Sequence, residues 1–490
     1  MLPYSFFASK SISTKHIYEY PKRSQFVECR YFFAHFKGYR KGCPKVLKSI
    51  RYFPRMEFEH ALQRAAEKIL SMPKGSRIRI ISHCDADGIA SAAIAAMALY
   101  RNGYEFHISI KKTGQNLLES VEENDLFLFC DIGSSHLEEM GRLKKDIILC
   151  DHHVMNGDIP KNVINLNVRS YGIDGSKEAS ASSAVFSLAM EMDKGNADLS
   201  QLAICGAIGD KQDKNGFHGI NKKILDMAIE KGFVNVREEI IFSEKQEIMD
   251  ILEKSIEPYF TSFSGGGAIR FLQNIGITPL KKLKELDEKE RKKFFSALTI
   301  KLLEQGVEEM EWKKEKIYGN AYGDLYDLTS KLNACARKDE ASIGIALCFK
   351  DEKARDRAVE LQEIYREEIR YELRAIEKEG GKEMSSFTYF HTKKPSLTGT
   401  LAGLALSYLP NFPSNKPVIG ISIVDGKAEI SARATQNLVE NGIDLAIALE
   451  KASSSVGGEG GGHPIAAGAT IPAEKEKEFL EELDKCLRMK

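Results

Sequence analysis

Residues 77–94 read RIRIISHCDADGIASAAI, and the rest of the fold is read outward from this stretch. A short β-branched run, 77–82, breaks into His83-x-Asp85-x-Asp87-Gly88. An Ala/Ile-rich segment, 88–100, then reads as a buried helix. Downstream the alternation continues. Residues 106–110 read as a second strand, 117–122 as a helix, and 126–130 (LFLFC) as a third strand. A helix near 137–143 leads to 147–150 (IILC), a fourth strand. Strands that are continuous apolar runs separated by helices call for a parallel sheet covered on both faces. Residues 179–194 and 199–207 add further helical or strand-like apolar segments. The fold class is α/β.

The whole chain has 490 residues, enough for two or more domains. Hydrophobic residues make up 43% and charged residues 29%, which excludes collagen-like, low-complexity and wholly disordered classes. No run of about 18 apolar residues marks a membrane span. Seventy Lys and Arg balance seventy Asp and Glu, so only the distribution of charge is informative. Residues 1–55 hold twelve Lys or Arg against two acids, a net of +10, among many aromatics. The abrupt change at residue 56 reads as a mis-called start at Met56, with a basic nucleic-acid-binding arm or a transit peptide as alternatives. The nine cysteines form no CxxC pair or zinc-ligand spacing, which reads as a reducing cytoplasm without disulfides.

Four acidic or imidazole clusters follow apolar runs: His83/Asp85/Asp87, then Asp131, then Asp151-His152-His153, and Asp210 after LAICGAIG. In a parallel sheet, strand ends emerge on one edge, where open α/β folds bind ligands. Five carboxylates and three imidazoles gathered there repel unless cations neutralise them. Mixed oxygen and imidazole ligands without thiolate suit Mn²⁺ or Mg²⁺. There are enough for two ions sharing a carboxylate, the arrangement used for phosphoester hydrolysis. Any one cluster alone reads as a turn or a helix cap; four together point to metal.

Beyond residue 221 the chain becomes charged and helical, with 281–293 almost entirely solvated, before a long Arg/Glu-rich helix over 351–382. Strands return at 417–424 and 428–432. A glycine-rich loop, 457–463 (GGEGGGH), follows; it suits close approach to a phosphate, with His463 as donor. Ser431-Ala432-Arg433 offers a guanidinium for the same task.

These clusters, in this order, resemble the DHH phosphoesterase superfamily, and GEGGGHPIAAG (458–468) resembles the signature of the DHH-associated C-terminal domain. The nearest group is the archaeal RecJ-like nucleases. The resemblance implies metal-dependent hydrolysis of phosphodiesters in single-stranded DNA or RNA, in repair or replication. It implies Asp85, Asp87, Asp131, His152 and Asp210 as ligands of two Mn²⁺ or Mg²⁺ ions, Asp131 bridging, with His83 ligating or just outside and His153 at the scissile phosphate. Gly461, Gly462, His463, Ser431 and Arg433 would hold substrate. So would Asn333 and Arg337, from a family stretch that reads Asn333-Ala334-Cys335-Ala336-Arg337 here, with alanine at 336 where glycine is usual, so that the local turn departs from the family pattern. The organisation implied is a parallel-sheet DHH domain (56–235 and 321–350), a helical insertion (236–320), a connector helix (351–384) and a smaller α/β domain (385–490) across a cleft. A replication partner of the GINS type is implied for the insertion. The alternatives are a hydrolase of oligoribonucleotides or cyclic dinucleotides, whose members are shorter and lack the insertion, and a replication scaffold, which a loss of ligands would mark. The pyrophosphatase branch lacks the GGGH segment.

Overall fold

The computed structural model describes residues 54–112, 115–118 and 124–488. The basic segment before residue 54, with the questions of an arm or a mis-called start, lies outside the described residues.

After helix α1 (Pro54–Leu70), strands β1 (Arg77–His83), β2 (Glu105–Lys111), β3 (Leu126–Cys130), β4 (Asp146–Cys150) and β5 (Val163–Asn165) form one sheet in the order β2-β1-β3-β4-β5. Every pairing in it is parallel. Alternation along the strands supplies two cores. Ile78, Ile80, Leu126, Leu128, Cys130, Ile148 and Cys150 join the core formed with α2 (Ala86–Arg101). Ile81, Phe127, Phe129, Ile147 and Leu149 face the other way, onto Leu137 and Met140 of α3 (Leu137–Arg142). Of the helix expected at 117–122, residues 117 and 118 form a turn and the remainder lies outside the described residues.

Helices α4 (Ala181–Met192) and α5 (Ser200–Gly209) stack on α2. The approach is close enough that a Cβ at Gly206 would lie 2.2 Å from both Asp87 Oδ1 and Ser182 Oγ. Here one expectation fails: the apolar run before Asp210 is the helix α5, not a strand. It is buried along nearly its whole length, so its apolar residues carry no period that could tell helix from strand.

Helix α6 (Gly219–Glu230) leads to a second, small sheet of β6 (Val234–Ile240), β7 (Lys313–Gly319) and β8 (Gly323–Asp324). Between β6 and β7 lie α7 (Ile248–Lys254), α8 (Gly267–Asn274) and α9 (Glu288–Glu304), around a core of their own that includes Phe260, Phe263, Phe294 and Leu298. In the charged run 281–293, only Leu283 and Leu286 join this core. Helices α10 (Leu325–Arg337) and α11 (Ala341–Cys348) return to the first core. The 28-residue helix α12 (Glu352–Glu379) follows. Residue 336 therefore lies inside α10 and not in a turn, and alanine is the better helix former there.

The C-terminal sheet contains β9 (Lys382–Glu383), β10 (Thr388–His391), β11 (Val418–Val424), β12 (Lys427–Arg433), β13 (Glu459–His463) and β14 (Ala466–Pro472), in the order β13-β14-β12-β11-β10-β9. Helices α13 (Thr398–Tyr408), α14 (Gln436–Glu440), α15 (Leu445–Ser455) and α16 (Glu476–Cys486) complete it. The glycine-rich segment is thus an edge strand and not a loop. Two of its glycines answer to packing: a Cβ at Gly460 would lie 2.9 Å from the Leu449 carbonyl of α15, and one at Gly458 2.4 Å from the Thr470 carbonyl.

Candidate metal centre

Strand β1 neighbours both β2 and β3, so the chain order reverses there, and the carboxyl ends of β1 and β3 open onto the crevice where such sheets bind ligands. His83 is the last residue of β1. Asp131 directly follows β3 in a left-handed conformation (φ 60°) that aspartate tolerates better than most residues. Asp151 directly follows β4.

The structure brings all four clusters together. The donor sets that converge are Asp131 with Asp151, His152 and His153; His83 with Asp85 and Asp131; and Asp87 with His152 and Asp210. Asp131 is common to the first two. Its Oδ1 lies 3.3 Å from His152 Nε2 and its Oδ2 3.4 Å from His83 Nδ1. Asp210, the C-cap of α5, places Oδ2 3.1 Å from the same His152 Nε2.

Several of these groups are held from behind. Asp85 caps α2 through Gly88 N–H (2.9 Å) and accepts from His83 Nδ1 (2.8 Å). Asp87 accepts from the first N–H groups of α4, Ala181 at 2.8 Å and Ser182 at 3.1 Å. His152 donates Nδ1–H to the Gly175 carbonyl (2.5 Å), which turns Nε2 toward the carboxylates. Asp151 is consumed by the protein. Its Oδ2 accepts from Ser134 N–H and Oγ–H, and its Oδ1 from the backbone of His152 and His153 and from His153 Nδ1. It therefore orients His153 and is not left free for an ion. Asn167 steadies Ser134 and the His153 carbonyl, and Arg169 holds the His152 carbonyl.

What remains unsatisfied is informative. Both oxygens of Asp131, His152 Nε2 and Asp210 Oδ2 are buried with no hydrogen-bond partner. Burying carboxylate oxygens without a partner is costly; a cation removes that cost. The residues fit divalent ions bound through oxygen and imidazole, the chemistry of Mn²⁺ or Mg²⁺.

The titrations agree. Burial and the neighbouring Asp131 push Asp87 up to about 6, and burial with Asp87 raises Asp210 well above the carboxylate range. Burial disfavours charge on His83 and His152, but the facing carboxylates outweigh it and hold both well above the usual imidazole range. Ligation requires neutral imidazoles and ionised carboxylates, so binding must expel protons. Mn²⁺ affinity is expected to rise with pH through the neutral range, with proton release visible in calorimetry as a dependence on buffer ionisation enthalpy. Affinity constant between pH 6 and 8 would contradict this arrangement.

The C-terminal sheet supplies a second set. The His463 ring lies 5.8 Å from that of His153 and 6.5 Å from that of His152. Burial and these two imidazoles push His463 down to about 4. Gly461 has open space where a Cβ would be. The Arg433 guanidinium reaches Gly399 in the first turn of α13; a Cβ there would lie 2.6 Å from Nη2 and 3.5 Å from Ser431 Oγ. Burial and Arg337 push Arg433 down to about 10. Arg337 also helps hold Asp85 ionised, so it acts on both sets. Asn333 does not present its carbonyl oxygen to a ligand: Oδ1 accepts from Ala86 N–H at 3.1 Å. Ser134, Asn167, Arg169, Gly175, Ser182 and Gly399 were not anticipated. No spacing distinguishes them, and only the close backbone approaches at Gly175 and Gly399 hint at them.

Residues 77–209 match the DHH family, N-terminal domain, and residues 393–489 match the DHHA1 domain. An uncharacterized protein of Methanocaldococcus jannaschii is 33% identical over 444 residues, covering 88% of this chain and 97% of that one. The chain belongs to the DHH family. It shares its fold with RecJ from Thermus thermophilus in complex with Mn²⁺ (18% identity, TM-score 0.56, 87% of this chain but about half, 54%, of the other). It also shares it with CDC45 from Entamoeba histolytica (12% identity, TM-score 0.58, 88% and 98%). Among the described residues no helix is long and apolar enough to cross a membrane.

Proposed function

We propose that this DHH protein is a metal-dependent phosphodiesterase acting as an exonuclease on single-stranded DNA or RNA, with two Mn²⁺ or Mg²⁺ ions. The observation that carries the reading is the buried, unpartnered set Asp131, His152 Nε2 and Asp210, fed by His83, Asp85 and Asp87. Bound divalent ions supply charge neutralisation at the phosphoryl oxygens and an activated nucleophile.

The chain's own residues do the rest. Asp131 bridges the two halves of the ligand set. Asp151 fixes Nδ1–H of His153, leaving Nε2 to meet the scissile phosphate. Arg433, with Arg337 nearby, grips a phosphate in bidentate fashion, and Ser431 joins them. His463, kept neutral, donates a hydrogen bond to a phosphoryl oxygen beside Gly461 and Gly462. Residues 56–235 and 321–350 act as the catalytic domain, 351–384 as connector and 385–490 as the substrate-binding domain. Residues 236–320 contribute to none of the converging donor sets among the described residues; the family resemblance suggests for them a GINS-type replication partner. A cytoplasmic setting fits the free thiols.

A replication scaffold is the second reading, favoured by the fold shared with CDC45. The retained ligand set argues for the enzyme. The test is hydrolysis of end-labelled single-stranded DNA and RNA, a duplex and a linear dinucleotide, with Mn²⁺. Stepwise trimming of single strands is expected. Turnover of the dinucleotide alone would favour a small-nucleotide hydrolase, and no turnover despite bound Mn²⁺ would favour the scaffold.

A further inference from the structure

Helix α10 comes after the inserted segment in sequence, yet its end abuts the turn that carries Asp85 and Asp87. Two contacts join them. Asn333 Oδ1 accepts from Ala86 N–H at 3.1 Å, and the Ala336 carbonyl accepts from Cys84 Sγ–H at 3.5 Å. Ala86 is the first residue of α2 and is buried. The first N–H groups of a helix have no acceptor within it. Asp85 meets this need for Gly88, and Asn333, 247 residues away in sequence, meets it for Ala86. Ala86 is also where the two carboxylates part. Asp85 turns back to His83, while Asp87 continues to the start of α4. Losing the Ala86 bond frees the one backbone group between two side chains whose directions must both be held.

We infer that Asn333 is a positioning residue for the metal-holding turn, fixing Asp85 and Asp87 through Ala86 N–H. This rests on the reading of that turn as part of the metal centre. Supporting partners of this kind are worth about 10–100-fold in metal affinity. Asn333→Ala is therefore expected to weaken Mn²⁺ binding by about 10–100-fold in calorimetry. It should lower kcat at limiting Mn²⁺ and leave KM for a single-stranded oligonucleotide within about twofold of wild type. Asn333→Asp keeps an acceptor at a helix N-terminus, where aspartate caps well, and should retain Mn²⁺ affinity within about threefold. The same charge would repel a phosphate, so a substrate contact would show a raised KM instead. Wild-type Mn²⁺ affinity in Asn333→Ala, or a change confined to KM, would overturn the inference. If Asn333→Ala does not fold, Asn333→Asp decides: retained affinity supports the role, and a tenfold or greater loss overturns it. Because the readout is binding of Mn²⁺ itself, a protein that binds the ion but hydrolyses no phosphodiester would refute the proposed activity and leave this test intact.

Discussion

Asp131→Ala is expected to lower phosphodiester hydrolysis by about 10³-fold or more, since ions held through this side chain stabilise the transition state by several kcal/mol. The residue faces His83 on one side and His152 on the other, and both its oxygens are buried without a hydrogen bond. Among the described residues no other side chain belongs both to the donor set of His83 and Asp85 and to that of His152 and His153. Alanine at φ 60° costs about 1 kcal/mol on its own account, so Asp131→Asn, which tolerates that conformation, is the control for folding. Without metal, Asp131→Asn should melt at or above the wild-type temperature, because Asp131 contributes to the repulsion that lifts Asp87 and Asp210. With Mn²⁺ the wild type should gain stability through ligand binding and the variant should not. Turnover within a few-fold of wild type in Asp131→Ala would refute a shared carboxylate.

The second large effect is expected at His463. The Asp/His clusters serve any phosphodiester, so preference for a strand end must come from the facing sheet. His463 sits 5.8 Å from His153, ring to ring, near enough for one phosphate to touch both. Its loss removes a hydrogen bond to an anionic oxygen, worth roughly 1.5–3 kcal/mol, or about ten- to a hundredfold. Much of this should fall on kcat, because a phosphate held out of line misaligns attack. Arg433→Ala should mainly raise KM. Single-turnover cleavage of a single-stranded oligomer separates the two. Wild-type rate and end preference in His463→Ala would move substrate binding elsewhere.

The parallel sheet was legible because its strands are short apolar runs bounded by helices, and because the acidic residues stand at their ends. The convergence of these carboxylates and imidazoles was legible for the same reason: a carboxylate or imidazole after each of β1, β3 and β4 must reach one edge. Asp210 was grouped correctly but by the wrong route, since LAICGAIG is apolar on every face and its helical nature shows only in packing against α2. The glycines before His463 read as a loop by composition, whereas the close approach of α15 and β14 makes them a strand that admits no side chain at 458 and 460. Asn333 was assigned to phosphate by resemblance; that its Oδ1 ties α10 to Ala86 shows only in the fold. The groups that orient the ligands, Ser134, Asn167 and the Gly175 carbonyl, are ordinary residues at ordinary spacings, and only the fold brings them to Asp151 and His152.

The most direct test of the central claim is anomalous diffraction at the manganese edge from crystals of the protein equilibrated with Mn²⁺. Two peaks about 3.5–4 Å apart are predicted, one among His83, Asp85 and Asp131 and the other among Asp131, Asp87, His152 and Asp210. A single peak, or none while Asp131 gains hydrogen bonds within the protein, would contradict the two-ion account.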